Sequence, residues 1–319
     1  MNTLQHEIAA GVAHRHVLSA GLGGPPGSKP MRARARGFGR FAICAVVILA
    51  FAPLQGCSTF GGWFSTAKKE ENPDPPEKIY ADADALLTKK KYEDAAAKFE
   101  DVDRHHPYAP QARRAIVMQA YAFYKAGKYP EAIAAGRRYT TMHPGTKEAA
   151  LAQHIIASSY FDDISDAGRD QSTTKKALQE LKTLIQRYPD SEFAKPAQNR
   201  IRVAADTLAA SEMNVGRYYL KQNNHLAAIN RFKTVVTDFQ TTAHVEEALM
   251  RLTEAYMALG IKAEAQTAAA VLGHNFPDSR WYKDSYALLQ GDGLAPREDS
   301  GSWISKAWKS TVGKVTSAG

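Results

Sequence analysis

Five segments of this chain repeat one order of residues: an aromatic or turn residue, a small alanine, apolar residues at helical spacing, then a proline. The first two read Tyr92, Ala95, Phe99, Val102, Pro107 and Tyr129, Ala132, Gly136, Tyr139, Pro144. Ala177, Leu181, Leu184, Pro189 and His225, Ala228, Phe232, Val235, Gln240 follow, and Ala265, Ala269, Leu272, Pro277 close the series. The closing positions lie 37, 45, 51 and 37 residues apart. Each unit of this length holds one helix pair, which cannot bury its apolar face alone and must stack on its neighbours. A small alanine lets the second helix (B) approach the first (A). The ring or leucine four residues later fills the space between repeats, and proline stops helix B because it cannot extend the hydrogen-bond ladder. Thr146, Ser191, Thr242 and Ser279, two residues past each stop, are expected to cap the next A helix. Glu148, Glu192, Glu246 and Glu247 suit its positive end.

This order resembles the tetratricopeptide repeat with insertions, and predicts an all-α helical solenoid of about five helix pairs. Residues 79–290 are rich in Ala, Leu, Lys, Glu and Gln and lack alternating β-branched runs, as helices require. The two long spacings have local causes. Residues 162–174 read as a polar loop inside the third repeat, and residues 192–222 as one long helix linking repeats 3 and 4. The expected organisation is therefore a precursor segment over 1–56 and an anchor with a tether over 57–78. Repeats 1–3 fill 79–191, the linking helix and repeats 4–5 fill 192–290, and a linker with a tail fills 291–319.

Residues 32–40 are basic and residues 41–54 are apolar, too short a run for a membrane span but suited to a secretory leader. Pro53 and Gly56 end that run before Cys57. The stretch Leu54-Gln55-Gly56-Cys57 resembles the lipobox of bacterial lipoproteins, with Gln55 where a small residue is usual. The resemblance makes Cys57 the acyl acceptor and the N-terminus of the mature chain; Met31 would be a start giving a leader of ordinary length. Several acyl chains would hold the protein firmly, since each buried methylene adds about 0.8 kcal/mol. Without residues 1–56, with six basic side chains against Glu7 alone, the formal net charge falls from +8 to +3. That removes the electrostatic case for nucleic acid. No cysteine follows Cys57, which excludes disulfides, thiolate metal sites and a cysteine nucleophile beyond it. Ser58 and Thr59, with no Asp after the cysteine, resemble outer-membrane sorting toward the periplasmic face.

No zinc-protease, serine-hydrolase or phosphate-loop motif occurs in the mature chain, so no catalytic residue is expected. His105, His106, His143 and His274 fall in the last turns of B helices, where a cationic ring suits the negative end. Because they belong to separate repeats, no metal site is expected. The A helices are the surface that such a solenoid offers. Register places Tyr80, Asp84, Tyr121, Tyr124, Lys125, His154, Ser158 and Phe161 along it, an aromatic set with polar tips suited to an extended peptide. Packing between repeats is the competing role for these rings. The tail carries Trp303, Ile304, Ala307, Trp308, Val312 and Val315 on one helical face, which suits a partner groove, a membrane surface or a frayed end.

Three stretches extend the likeness: Lys90–Ala115, Tyr121–Thr146 and Asn230–Thr242. With the lipobox, tether and long linking helix they resemble the BamD (ComL) family of outer-membrane protein assembly lipoproteins. The resemblance implies a scaffold without enzymatic activity or cofactor beyond the lipid on Cys57. It implies binding to a BamA-like barrel protein and other assembly subunits through the C-terminal repeats, with Asn230 and Arg231 at that interface. The N-terminal repeats would receive unfolded outer-membrane proteins. A different periplasmic role, organising peptidoglycan or a secretin, fits the repeats equally well on their own. Gln240 in place of the fourth proline, and the Trp-bearing tail, depart from the family pattern.

Overall fold

A computed structural model of the chain describes residues 74–316, with side chains described through residue 310. The leader, Cys57, most of the tether and the side chains of Val312 and Val315 lie outside the described residues. Those described form an all-α solenoid of twelve helices. They are α1 (Pro76–Thr88), α2 (Tyr92–His105), α3 (Pro110–Lys125), α4 (Tyr129–Met142), α5 (Lys147–Asp162), α6 (Ser172–Arg187), α7 (Ala194–Lys221), α8 (His225–Asp238), α9 (Val245–Ala258), α10 (Lys262–Asn275), α11 (Arg280–Gly291) and α12 (Trp303–Thr316). Successive helices pack on one another in order from α1 to α10. Within α1–α10 the odd-numbered helices are the A helices and the even-numbered ones the B helices of five pairs.

Four of the five A–B turns, and the end of α11, share one backbone device. Lys90, Gly127, Asn223, Gly260 and Gly293 all have positive φ, from 55° to 75°. Each donates its N–H to the carbonyl three residues back, and the next residue donates to the carbonyl five back, as in Lys91 to Leu86 and Ile261 to Tyr256, both 2.9 Å. These paired bonds satisfy the last carbonyls of the A helix and reverse the chain. Glycine meets this conformation without strain at three of the five positions.

The B–A corners repeat a second device. His106, His143, Tyr188, Phe239 and Phe276 each adopt φ between −131° and −137° and donate to the carbonyl four residues back. The hydroxyls two residues past the stop do not behave uniformly as caps. Only Ser279 accepts from a helix N–H, that of Trp281 at 3.2 Å. Thr146, Ser191 and Thr242 donate backward to the carbonyls of His143, Tyr188 and Phe239 at 3.1, 2.8 and 2.8 Å. The same carbonyls accept the backbone N–H of Thr146, Ser191 and Thr242 at 3.4, 3.1 and 3.1 Å, so each hydroxyl adds a second bond to an oxygen that has no helical partner. Helices α7 and α9 then begin later, at Ala194 and Val245. Glu148, Glu246 and Glu247 do lie in first turns, whereas Glu192 precedes its helix.

The alanines sit where the repeat logic requires. Ala95, Ala132, Ala177, Ala228 and Ala265 are fully buried. Phe99, Leu181 and Phe232 beside them are buried too, each worth roughly 1.5–3 kcal/mol. The loop over residues 163–171 is tied by Gln171, which donates to the carbonyls of Asp166 and Arg169 and accepts from Thr174. Helix α7 is 28 residues long, about 42 Å at the helical rise. It packs on both α6 and α8.

Through residue 310 the tail folds back on repeats 4–5. Residues 294–302 cross α10, with Gln266 donating to the Ala295 carbonyl at 2.7 Å and Ser302 to Glu264 at 2.6 Å. Helix α12 then lies on α10 and α8. Ile304 is fully buried there, and the Trp303 indole N–H donates to the Tyr256 hydroxyl at 2.9 Å.

Candidate peptide-binding groove

The residues expected along the A helices divide into two sets. Tyr80, on α1, is half-buried. Its ring meets Phe99 edge-on at 5.2 Å, and the Arg114 guanidinium lies 5.7 Å from its centroid. Burial pushes the Tyr80 phenol up to about 12, and its buried oxygen has no hydrogen-bond partner among the described residues. Together with Glu77, Pro110, Gln111 and Arg114 it lines an open cleft between α1 and α3. Asp84 is partly exposed one turn further along α1. On α3, Tyr121 is buried between repeats, with the exposed Lys125 ammonium 5.8 Å from its ring. Tyr124 donates to the Asp162 carboxylate at 2.6 Å, and burial followed by that bond raises its phenol well above the usual range.

The third repeat is where the expectation needs correcting. Phe161 stays half-exposed, but Ser158 is fully buried and His154 is 7% exposed. Neither offers a polar tip to a peptide. The His154 ring stacks on Phe193 at 4.5 Å, and burial, aided by nearby Arg200, lowers its pKa to about 3. The imidazole is therefore neutral near pH 7. Phe193, just before α7, stacks on the ring, and Arg200 in the second turn of α7 bonds to Ser158, so both side chains are covered where helix register alone leaves them open.

Arg200, on α7, is the residue that sequence reading missed. Its Nη1 donates to Ser158 Oγ at 2.6 Å, and its guanidinium lies 5.0 Å from the Phe161 centroid. It joins His154, Ser158 and Phe161 of α5 to Tyr124 of α3, on whose phenol its charge acts. A signal existed: Arg200 occupies a core-facing position between Ala197 and Ala204 on one helical stripe.

The second expected surface lies on α8. Asn230 is exposed, and Arg231 keeps 44% of its side chain exposed. Arg231 donates to Glu212 of α7 at 3.2 Å, rather than to Asp238. Phe232, beside it, is fully buried against α7. Among the described residues no cluster of His, Cys, Asp or Glu could hold a metal, and no helix is long and apolar enough to cross a membrane.

Stacked helix pairs with an aromatic A-helix surface and a separate exposed polar surface define a helical-repeat protein built for contact with other chains. The model of the YfiO family, described as outer membrane lipoprotein, matches residues 72–272, and the chain belongs to that family. It is 41% identical over 263 residues to outer membrane protein assembly factor BamD of Caulobacter vibrioides, covering 81% of this chain and 84% of that protein. The factor of the same name from Rickettsia prowazekii is 38% identical over 250 residues, covering 78% of this chain and 96% of its own length. That from Neisseria meningitidis serogroup A is 32% identical over 213 residues, covering 64% and 80%.

Proposed function

We propose that this chain is an assembly factor for outer-membrane proteins, held at the periplasmic face of the outer membrane by lipid on Cys57. It acts as a scaffold and carries out no chemistry of its own. Its repeats 1–3 receive extended segments of unfolded barrel proteins along Tyr80, Tyr124 and Phe161. Its repeats 4–5 bind a BamA-like barrel protein through the surface bearing Asn230 and Arg231. The observation that carries this reading is the shared name of relatives that match most of both chains. The partly exposed rings of Tyr80, Tyr124 and Phe161, with Asp84 and Lys125 on the same helices, support it, since such a surface suits an extended peptide whose side chains alternate in polarity.

Affinity isolation of the full-length chain from detergent-solubilised outer membrane tests the reading. A BamA-like barrel protein is the expected partner, and Cys57→Ser should move the chain to the soluble fraction. Isolation with peptidoglycan-binding or secretin proteins instead would overturn it.

A further inference from the structure

Helices α7 and α9, the A helices of repeats 4 and 5, are tied by Glu247 of α9, which accepts from Arg217 of α7 at 2.7 Å and from Arg251 at 3.4 Å. Arg217, Leu220, Lys221, Arg251 and Glu254 line an open cleft there. Beyond the cleft both helices run into A–B turns, and large apolar side chains crowd these two turns. Tyr218 is 59% exposed, Leu226 65%, Leu259 37% and Ile261 42%. Apolar groups gathered in water, rather than scattered singly, mark a contact surface. The cations beside them are under-used. Arg251 also donates to Glu254 at 2.8 Å, so two glutamates answer the two arginines. Lys221 forms no ion pair among the described residues. Lys262 reaches Asp292 only at 3.8 Å, with both side chains more than half exposed.

We propose that the A–B turn edge of repeats 4–5 lies on an anionic bilayer surface, with Tyr218, Leu226, Leu259 and Ile261 among the headgroups and Lys221 and Lys262 against lipid phosphates. This rests on the reading of the chain as held at a membrane by lipid on Cys57, and adds the face of the folded repeats that meets that membrane. The residue types favour lipid over a protein groove. The apolar groups stand on turns and helix ends rather than in one helical stripe, which suits a fluid surface better than a shaped groove. Tyrosine joins an apolar ring to a polar hydroxyl, the pairing that membrane interfaces select. Lysine lays its methylenes along apolar surface and keeps its ammonium among phosphates. Anchoring through Cys57 makes this second contact intramolecular, so a weak surface suffices.

The test uses the full lipidated chain, purified in detergent and reconstituted into vesicles of phosphatidylcholine with or without phosphatidylglycerol. Cys44 leaves with the leader and Cys57 carries the lipid, so Leu226→Cys or Ile261→Cys takes an environment-sensitive dye without competition. Tyr108→Cys, at a B–A corner where the parent side chain is 99% exposed, is the control. With phosphatidylglycerol present, the dyes at 226 and 261 should shift to the blue and be quenched by spin-labelled lipid, and the dye at 108 should do neither. Lys221→Glu with Lys262→Glu should lower the ratio of lipid-bound to free edge by about tenfold or more, with circular dichroism checking that helicity is kept. Failure of the chain to float with vesicles overturns the anchoring itself. Chains that float while the dyes at 226 and 261 stay in water overturn the bilayer contact and leave the anchoring standing. Equal quenching at 108 overturns the choice of edge, and equal quenching without phosphatidylglycerol overturns the choice of anionic lipid. A blue shift that grows with protein concentration in detergent assigns the edge to a second copy, one produced by inorganic phosphate alone assigns it to the free ion, and either overturns the proposal.

Discussion

Gln240 donates from its side-chain amide to the main-chain oxygen of Ala307, 3.2 Å away. The same nitrogen lies 2.6 Å from the carbonyl of Val236, in the last turn of α8. Four of the five repeats hold proline at this corner, and proline has no such donor. The corner that lacks proline is therefore where the tail helix attaches.

Docking of α12 should be a measurable part of the stability of repeats 4–5. Ile304 joins the cluster that contains Met213, Phe232, Leu252 and Leu272, and Phe276 meets Trp308 edge-on at 5.9 Å. Ile304→Ala should cost about 2–5 kcal/mol through lost burial and the cavity left behind. Trp303→Phe removes the indole bond to Tyr256 and weakens the contact of the ring with the Lys233 ammonium, 4.8 Å from its centroid, and should cost about 1–2 kcal/mol. Urea titration of each variant measures both values, and equal midpoints for Ile304→Ala and the parent chain would mean that α12 is not docked in solution.

Gly216 of α7 lies directly under the Phe232 ring, where an added Cβ would collide with the ring edge. Alanine ordinarily stabilises a helix interior by about 1 kcal/mol over glycine. Gly216→Ala should do the reverse here, destabilising by about 1–3 kcal/mol because the fully buried ring must shift within a packed core. Adding Phe232→Leu should recover part of the loss, which a double-mutant cycle detects.

The buried His154 predicts a pH dependence with a definite sign. Its folded pKa, about 3, lies below its ordinary value of 6.5. The unfolded chain therefore takes up a proton that the folded chain refuses. Stability from this group is full above about pH 6.5 and falls as pH drops toward 3, by as much as about 1.4 kcal/mol per pH unit. His154→Phe keeps the stacking on Phe193 and should flatten the loss between pH 6.5 and 4. Denaturant midpoints at pH 7 and pH 5 provide the comparison, and parallel pH profiles for parent and variant would assign the acid sensitivity to other groups.

How much of this was legible follows from what each element depends on. The alanine crossings and helix pairs are local, and Ala95, Ala132, Ala228 and Ala265 stand in the sequence at the spacing that packing requires. The A–B turns were half hidden. Gly127 and Gly260 announce a left-handed residue, whereas Lys90 and Asn223 hold the same conformation without the glycine that would mark it. The hydroxyls at Thr146, Ser191 and Thr242 follow a real repeat, but whether such a group serves the helix ahead or the carbonyl behind depends on where that carbonyl points. Register puts His154 and Ser158 on the correct helix but at its surface, whereas both are buried, in contact with Phe193 and Arg200 some forty residues further on. Arg200 was passed over for the converse reason: its charge reads as surface until α5 and α7 are brought together.

The last prediction concerns Arg231, whose two possible roles now have distinct partners. Its observed partner is Glu212, and the pair is partly exposed at 44% and 21% of the two side chains. An ion pair of that kind contributes about 0–1 kcal/mol. Arg231→Glu should therefore leave the isolated chain folded, with a small loss from repulsion of Glu212. If Arg231 also meets an acidic group on the barrel-assembly partner, the same change abolishes the complex, since it replaces a two-pronged donor by a like charge. Glu212→Arg in the same chain separates the effects. It restores the internal pair with charges exchanged and recovers stability, yet it cannot restore a lost contact to the partner. The expected outcome is a double variant as stable as the parent chain that still fails to co-purify with the BamA-like protein. Recovery of the complex by the double variant would assign Arg231 to the α7–α8 packing alone and remove it from the interface.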